Sequence, residues 1–168
     1  VCREFNLSPG DAIDILTGRA FDKASHRNAA TRRIMITKPK LLTCSPPCTK
    51  FSILQNLNIS VHGREWEQQF KMDEEKAARH ISFCAKLCKV QKAQGRYLLF
   101  EHPLSATSWS DTQLAELCRN PRVATTTADQ CAYGLTSSKD GIEGPAKKPT
   151  RFASNSEILL GELSARCP

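Results

Sequence analysis

The chain has 168 residues and carries 24 Lys and Arg against 17 Asp and Glu, a formal net charge of +7 at pH 7. Its 40% hydrophobic and 24% charged residues are ordinary for a globular protein. Its length suits one domain with a hydrophobic core and is short for two. No apolar run approaches the roughly 20 residues of a membrane-spanning helix, and the N-terminus has no hydrophobic signal core. The positive charge favours a polyanionic or acidic partner, with nucleic acid as the first candidate.

Cysteine is frequent for a chain of this length, with eight residues at positions 2, 44, 48, 84, 88, 118, 131 and 167. Because nothing indicates secretion, we expect most of them to be reduced, in a reducing intracellular compartment. The pairs Cys44/Cys48 and Cys84/Cys88 have a spacing that a metal ion can use. Pro46 and Pro47 make chelation by the first pair awkward, so a zinc site and a disulfide framework are both disfavoured.

Short apolar runs alternate with longer amphipathic ones, which is typical of an α/β fold. Residues 11–16 (DAIDIL) are predicted to form a short strand. The pattern predicts a helix over 26–38, ending before Pro39. Residues 39–44 (PKLLTC) are nearly all apolar, as in a buried parallel strand.

The second half continues the alternation. The strongest helix is predicted over 66–95, with a buried face at 3.6-residue spacing formed by Phe70, Ala77, His80, Ile81, Cys84, Leu87, Cys88 and Gln91. A buried strand over 96–103 ends at Pro103. A short helix over 110–120, a strand over 122–129, a flexible loop over 137–149 and a helical tail over 156–167 follow. This order predicts a single domain with a mostly parallel sheet, helices on both faces, and ligands at the carboxyl ends of the strands.

The stretch CSPPCTKFS (44–52) ends one of these strands. Pro46 and Pro47 can continue neither a helix nor a central strand, so Cys48 is expected on a stiff turn. A thiol fixed in direction, at the start of a following helical turn, suits a nucleophile. The alternative is that Cys48 is only a small buried residue at a strand end. The motif taken alone favours this alternative.

The stretch YLLFEHP (97–103) ends another strand. Glu101 follows an apolar run at the mouth of the predicted sheet, where a partly desolvated carboxyl can hold or donate a proton. The alternative is an ion pair with one of the 24 Lys and Arg residues.

Together these stretches resemble the cytosine-5 DNA methyltransferases, a family of S-adenosylmethionine-dependent enzymes. SPPCTKFS is similar to the family's Pro-Pro-Cys-Gln-x-Phe-Ser motif, and LLFEHP to its Glu-Asn-Val motif after a buried strand. CAYGL and KKPTRF, within 131–152, resemble its later Tyr-Gly and Arg-x-Phe segment. The motifs come in the family's order and cover most of residues 11–155.

The resemblance implies roles for particular residues. Cys48 would add to carbon 6 of a flipped cytosine, Glu101 would contact ring nitrogen 3 and the exocyclic amine, and Arg151 would assist at the base or a phosphate. S-adenosylmethionine would supply the methyl group. Its binding would fall to Asp14, Asp22, Ser45 and Pro46.

The resemblance also implies a Rossmann-like fold whose first strand, with its Gly-rich cofactor turn, has no counterpart here. His102 and Pro103 stand where the family has Asn-Val. Three interpretations remain open: a fragment of a larger protein, a degenerate domain without activity, or a structural subunit that docks on protein partners.

Overall fold

The computed structural model describes residues 8–52, 55–139 and 141–167. The chain divides into two compact units, Val1–Lys40 and Leu41–Pro168. The first unit contains a 3₁₀ turn, Ile15–Thr17, and helix α1, Ala24–Thr37. As predicted, α1 ends before Pro39, with Lys38 in the left-handed conformation at its C-cap.

The strand predicted over 11–16 is wrong. The Asp14 carboxylate accepts the N–H of Leu16, and the Thr17 hydroxyl donates to the Asp14 carbonyl at 2.8 Å. Such local bonds between side chains and backbone compete with the extended chain and favour a turn.

The second unit contains a four-stranded sheet and a two-stranded sheet in its described residues. The strands are β1 Leu41–Cys44, β2 Tyr97–Pro103, β3 Ala124–Asp129, β4 Thr136–Lys139, β5 Ile142–Pro145 and β6 Pro149–Ser154. The helices are α2 Gln55–Ala93, α3 Thr112–Cys118 and α4 Glu157–Glu162, with 3₁₀ turns at Thr49–Phe51, Thr107–Ser110 and Gln130–Tyr133.

The larger sheet is mixed, with the strand order β1-β2-β6-β3. β1 and β2 are parallel, whereas β6 runs antiparallel between β2 and β3. The α/β class is confirmed. The prediction of a mostly parallel sheet is corrected by β6, a strand that the sequence pattern did not indicate.

Helices α2 and α3 pack together, and their apolar side chains share one core with one face of the sheet. Leu98 and Phe100 of β2 and Ala153 of β6 are fully buried on that face. The buried members from α2 and α3 are Ile81, Cys84, Ala85, Cys88, Leu114 and Leu117. The predicted buried face of α2 is confirmed, although the helix begins eleven residues before the predicted 66.

A β-hairpin occupies most of the segment predicted as a flexible loop over 137–149. β4 and β5 pair antiparallel, with Lys139 opposite Ile142. Gly141 has a φ of +79°, a conformation that suits glycine in tight hairpin turns. The Asp-Gly pair is a known hairpin signal, and the surrounding Pro and Lys residues obscured it.

The C-terminal tail is fastened to the end of β3. Cys131 and Cys167 form a disulfide, while the other described cysteines, from Cys44 to Cys118, are free thiols. Asp129 donates its N–H to the Ala165 carbonyl at 3.0 Å. The helix predicted over 156–167 is therefore limited to α4, and the rest of the tail lies extended or irregular.

Among the described residues, none of the helices has the length and apolarity required to cross a bilayer.

Asp111 links α2 to α3, and its replacement tests that link. Its carboxylate caps α3 by accepting the N–H groups of Gln113 and Leu114, and it also accepts the Ser82 hydroxyl at 2.7 Å. Loss of the cap and of the hydrogen bond from Ser82 should cost D111A about 2 kcal/mol in the free energy of unfolding.

Urea unfolding measures the effect of this replacement. S82A is the matched control: it removes only the bond between the helices and should cost about 1 kcal/mol or less. A D111A protein as stable as the unaltered chain would contradict the assignment.

Candidate functional site

The ends of β1 and β2 lie side by side. In their parallel ladder Cys44 is opposite Phe100, so both strands end at the same edge of the sheet. Cys48 follows Cys44 by four residues, and Glu101 is the residue after Phe100. The two side chains that the sequence singled out therefore come from the ends of adjacent parallel strands.

Cys48 lies on a turn between the two prolines that precede it and the 3₁₀ turn that follows it. Pro46 is buried, Cys48 is half-buried, and Ser45 is exposed. Cys48 forms the N-cap of the 3₁₀ turn Thr49–Phe51, and its carbonyl accepts the Phe51 N–H at 3.0 Å. The predicted stop of the strand at the two prolines and the helical turn after Cys48 are both confirmed.

Glu101 has a buried carboxylate oxygen that no group satisfies. The residue is half-buried, and its Oε1 is buried without a hydrogen-bond partner among the described residues. It pairs with Phe152 of β6 in the ladder. Because side chains alternate along a strand, Glu101 points away from the helix-covered face that holds Phe100. A buried carboxylate oxygen without a partner is costly, and a ligand with a polar N–H would satisfy it.

His102 connects the two strand ends on the opposite, helix-covered face. It is fully buried, and its Nδ1 lies 2.7 Å from the Ser108 hydroxyl. Its ring packs edge-on against Phe51, with 5.7 Å between ring centroids. The backbone carbonyls of Pro46 and Pro47 lie near the ring, although Nε2 completes no well-aligned hydrogen bond.

Burial lowers the pKa of His102 below its ordinary value. The carbonyls of Pro47 and Pro46 oppose this by favouring the protonated ring, and the charge of Lys148 adds to the lowering. His102 is therefore neutral at pH 7, with a proton on one ring nitrogen only.

Arg151 lies on the face opposite to that of Glu101. It pairs with His102 in the ladder, and its guanidinium lies over the Trp109 ring, 5.0 Å from the centroid. Trp109 in turn donates its indole N–H to the Pro103 carbonyl at 2.7 Å. The geometry thus brings Arg151 together with His102, and not with Glu101.

The residues predicted for the cofactor come from both units of the chain. Asp14 and Asp22 are exposed and belong to the first unit, whereas Ser45 and Pro46 belong to the second. The carboxylate of Asp14 is engaged within its own turn.

Tyr133 and Gly134, which match the later family segment, serve the C-terminal tail. The Tyr133 hydroxyl donates to the Glu162 carbonyl at 2.8 Å and accepts the Ala165 N–H at 2.9 Å. Gly134 ends the preceding 3₁₀ turn with a φ of +86°.

Sequence reasoning missed two groups at this edge of the sheet. His102 appeared only as a departure from a motif, yet the alternation of Leu98, Phe100 and His102 is a signal that its side chain enters the core. Asp129 ends β3, is almost fully buried, and has an Oδ1 without a described partner. No pattern in the sequence marks Asp129, because its burial depends on the docked tail.

Three buried cysteines lie beneath the turn. The sulfurs of Cys44 and Cys88 are 3.8 Å apart, and Cys84 also contacts Cys44. Hydrogen bonding to Cys44 and burial raise the pKa of Cys84 and Cys88, so both are thiols at pH 7. No three His, Cys, Asp or Glu side chains within the described ranges are arranged to hold a metal ion.

Comparison of the chain with protein-family models, with curated proteins and with solved structures gives no match.

The histidines make the folded state sensitive to acid. Burial lowers the pKa of both His80 and His102 below the ordinary value of 6.5. Below pH 6.5 the unfolded chain binds protons at these positions before the folded chain does. The free energy of unfolding should therefore be highest above pH 6.5 and fall as the pH drops toward the pKa values of the folded state.

Urea unfolding between pH 7.5 and 5.5 measures this dependence. H102Q and H80Q should each flatten it, because burial lowers the pKa of both histidines in the folded chain. The same pH slope in both variants and the unaltered protein would refute the assignment.

Proposed function

We propose that this chain is a DNA cytosine-5 methyltransferase-like domain that activates a cytosine with the Cys48 thiolate and the Glu101 carboxyl. The observation that supports it is the parallel pairing of β1 and β2, whose ends bear these two groups at one edge of the sheet. The unpartnered Oε1 of Glu101 is a second support, since a bound pyrimidine offers the polar hydrogens that it lacks.

The two groups divide one addition step between them. The Cys48 thiolate forms a bond to carbon 6 of the ring, and the π electrons of the 5,6 double bond shift toward carbon 5 and the conjugated ring nitrogen 3. Protonated Glu101 gives its proton to nitrogen 3 and becomes a carboxylate, so the adduct is neutral. Carbon 5 is then electron-rich and ready to accept a methyl group.

The substrate would be a cytosine removed from the base stack. An addition of this kind needs access to both the face and the Watson–Crick edge of the base, which a duplex hides. The net charge of +7 favours association with a polyanion. Arg151 is the proposed helper at the base or phosphate, although its stacking on Trp109 fits a contact with the backbone of the nucleic acid better.

S-adenosylmethionine is the methyl donor that the family resemblance implies. Two of the four assigned side chains, Asp14 and Asp22, belong to the first unit, and the Asp14 carboxylate accepts the Leu16 N–H within its own turn. The proposal for this chain therefore concerns activation of the base, and no step through the cofactor is derived.

A DNA oligonucleotide containing 5-azacytosine tests base activation without a cofactor. Addition of a thiolate to carbon 6 of this ring leaves a stable adduct, because the negative charge falls on nitrogen 5 and is protonated there. The unaltered chain should form a complex that survives denaturing electrophoresis, and C48S should form none. E101Q, which cannot donate the proton, should slow formation by about 100-fold or more.

C118S is the matched control, because Cys118 is also a half-buried free thiol and lies on α3. It should react as the unaltered chain does. Absence of any adduct in the unaltered chain, or an adduct that persists in C48S, would refute the proposal. A second oligonucleotide, with 5-fluorocytosine and S-adenosylmethionine, reports methyl transfer separately.

A structural subunit without chemistry is the second candidate. Leu41 and Tyr97 are opposite one another in the ladder and are 39% and 53% exposed. Exposed apolar side chains that neighbour one another on a sheet favour a protein partner. This candidate predicts no adduct with either oligonucleotide and no salt-dependent binding of DNA.

A further inference from the structure

The two prolines before Cys48 create a need for a hydrogen-bond donor. Proline has no N–H, so the turn provides carbonyl acceptors at Pro46 and Pro47 without donors of its own. The Pro47 carbonyl belongs to the same planar peptide group as the Cys48 N–H. A group that holds this carbonyl therefore also sets the direction in which Cys48 leaves the turn.

His102 is placed to be that donor. It is fully buried at the end of β2, next to the end of β1, and its ring lies near the carbonyls of Pro46 and Pro47. Nδ1 is already engaged by Ser108, at 2.7 Å, whereas Nε2 is buried without a described partner. A hydroxyl that donates to Nδ1 leaves the proton of a neutral imidazole on Nε2.

Phe51 holds the other side of the same turn. Its N–H donates to the Cys48 carbonyl at 3.0 Å, and its ring packs edge-on against His102. The residues before and after Cys48 thus meet the same imidazole.

We propose that His102 is a positioning residue for Cys48, with Ser108 donating to its Nδ1 and its Nε2–H directed at the carbonyls of the Pro46–Pro47 turn. This inference deepens the proposed function, since it rests on Cys48 as the reactive thiol.

Alkylation of Cys48 by iodoacetamide tests the inference without DNA. The rate is followed by mass spectrometry of the peptide that contains Cys48, and the buried Cys84 and Cys88 in the same digest report global opening. H102L removes the donor and should free the turn. The alkylation rate of Cys48 should then rise by about fivefold, which corresponds to the loss of one hydrogen bond, while the alkylation rates of Cys84 and Cys88 stay unchanged. H102Q, which keeps an N–H at similar reach, should stay within about twofold of the unaltered chain.

Q91L is the matched control. Gln91 is fully buried like His102, but its side chain binds the Tyr97 carbonyl at the opposite end of β2. Q91L should leave the alkylation rate of Cys48 unchanged. Equal Cys48 rates in H102L, Q91L and the unaltered chain would overturn the inference.

Nitrogen NMR of ¹⁵N-labelled histidine decides the case in which H102L opens the whole fold. The inference is supported if the proton of His102 is on Nε2 in the unaltered chain and is no longer confined to Nε2 in S108A. A proton on Nδ1 in the unaltered chain overturns the inference. Failure of the proposed function gives a different pattern. In that case no variant forms the 5-azacytosine adduct, while the alkylation and NMR results stand unchanged.

Discussion

The parallel pairing of β1 with β2, with Cys44 opposite Phe100, is the constraint on which the candidate site depends. Leu98 and Phe100 are fully buried against α2 and α3, so the core fixes which residues of β2 face the helices. A slip of one residue would bring Glu101 into the core and expose Phe100. Hydrophobic burial thus sets the register, and the register delivers the carboxyl of Glu101 and the turn of Cys48 to the same edge.

Polar groups without partners concentrate at that edge. Glu101 Oε1, His102 Nε2 and Asp129 Oδ1 are buried without described partners, and they come from the ends of β2 and β3. These strands run in the same direction, because both are antiparallel to β6. Each unsatisfied buried group costs about 1–3 kcal/mol, so the ends of β2 and β3 carry a cost in stability that a polar partner for Glu101 or Asp129 would reduce.

The sequence predicted the parts of the fold that follow from local periodicity. Helices α1 and α3 and strands β1 to β3 lie within a few residues of where apolar spacing, prolines and the Asp111 cap indicated them, whereas α2 begins eleven residues before its predicted start. β6 was missed because Pro149 and the neighbouring lysines resemble a loop, and only pairing with β2 and β3 makes it a strand. The strand predicted over 11–16 is wrong because of local interactions: the Asp14 side chain bonds to the nearby backbone and forms a turn, although the alternating pattern of apolar residues is typical of a strand. For the site, strand ends were predictable, whereas the separation of Arg151 from Glu101 required the register.

Glu101 and His102 are consecutive residues on opposite faces of one strand end, and this arrangement separates two tasks. The Glu101 side chain points away from the face that α2 and α3 cover, and the imidazole points to the core, where Ser108 and Phe51 contact it. One peptide group links the two residues, so the position of the Glu101 backbone depends on that of the His102 backbone. Cys48 and Glu101 lie 53 positions apart in the sequence, and the pairing of β1 with β2 brings the two strand ends to one edge of the sheet. The buried imidazole of His102 is part of the core packing that fixes this register.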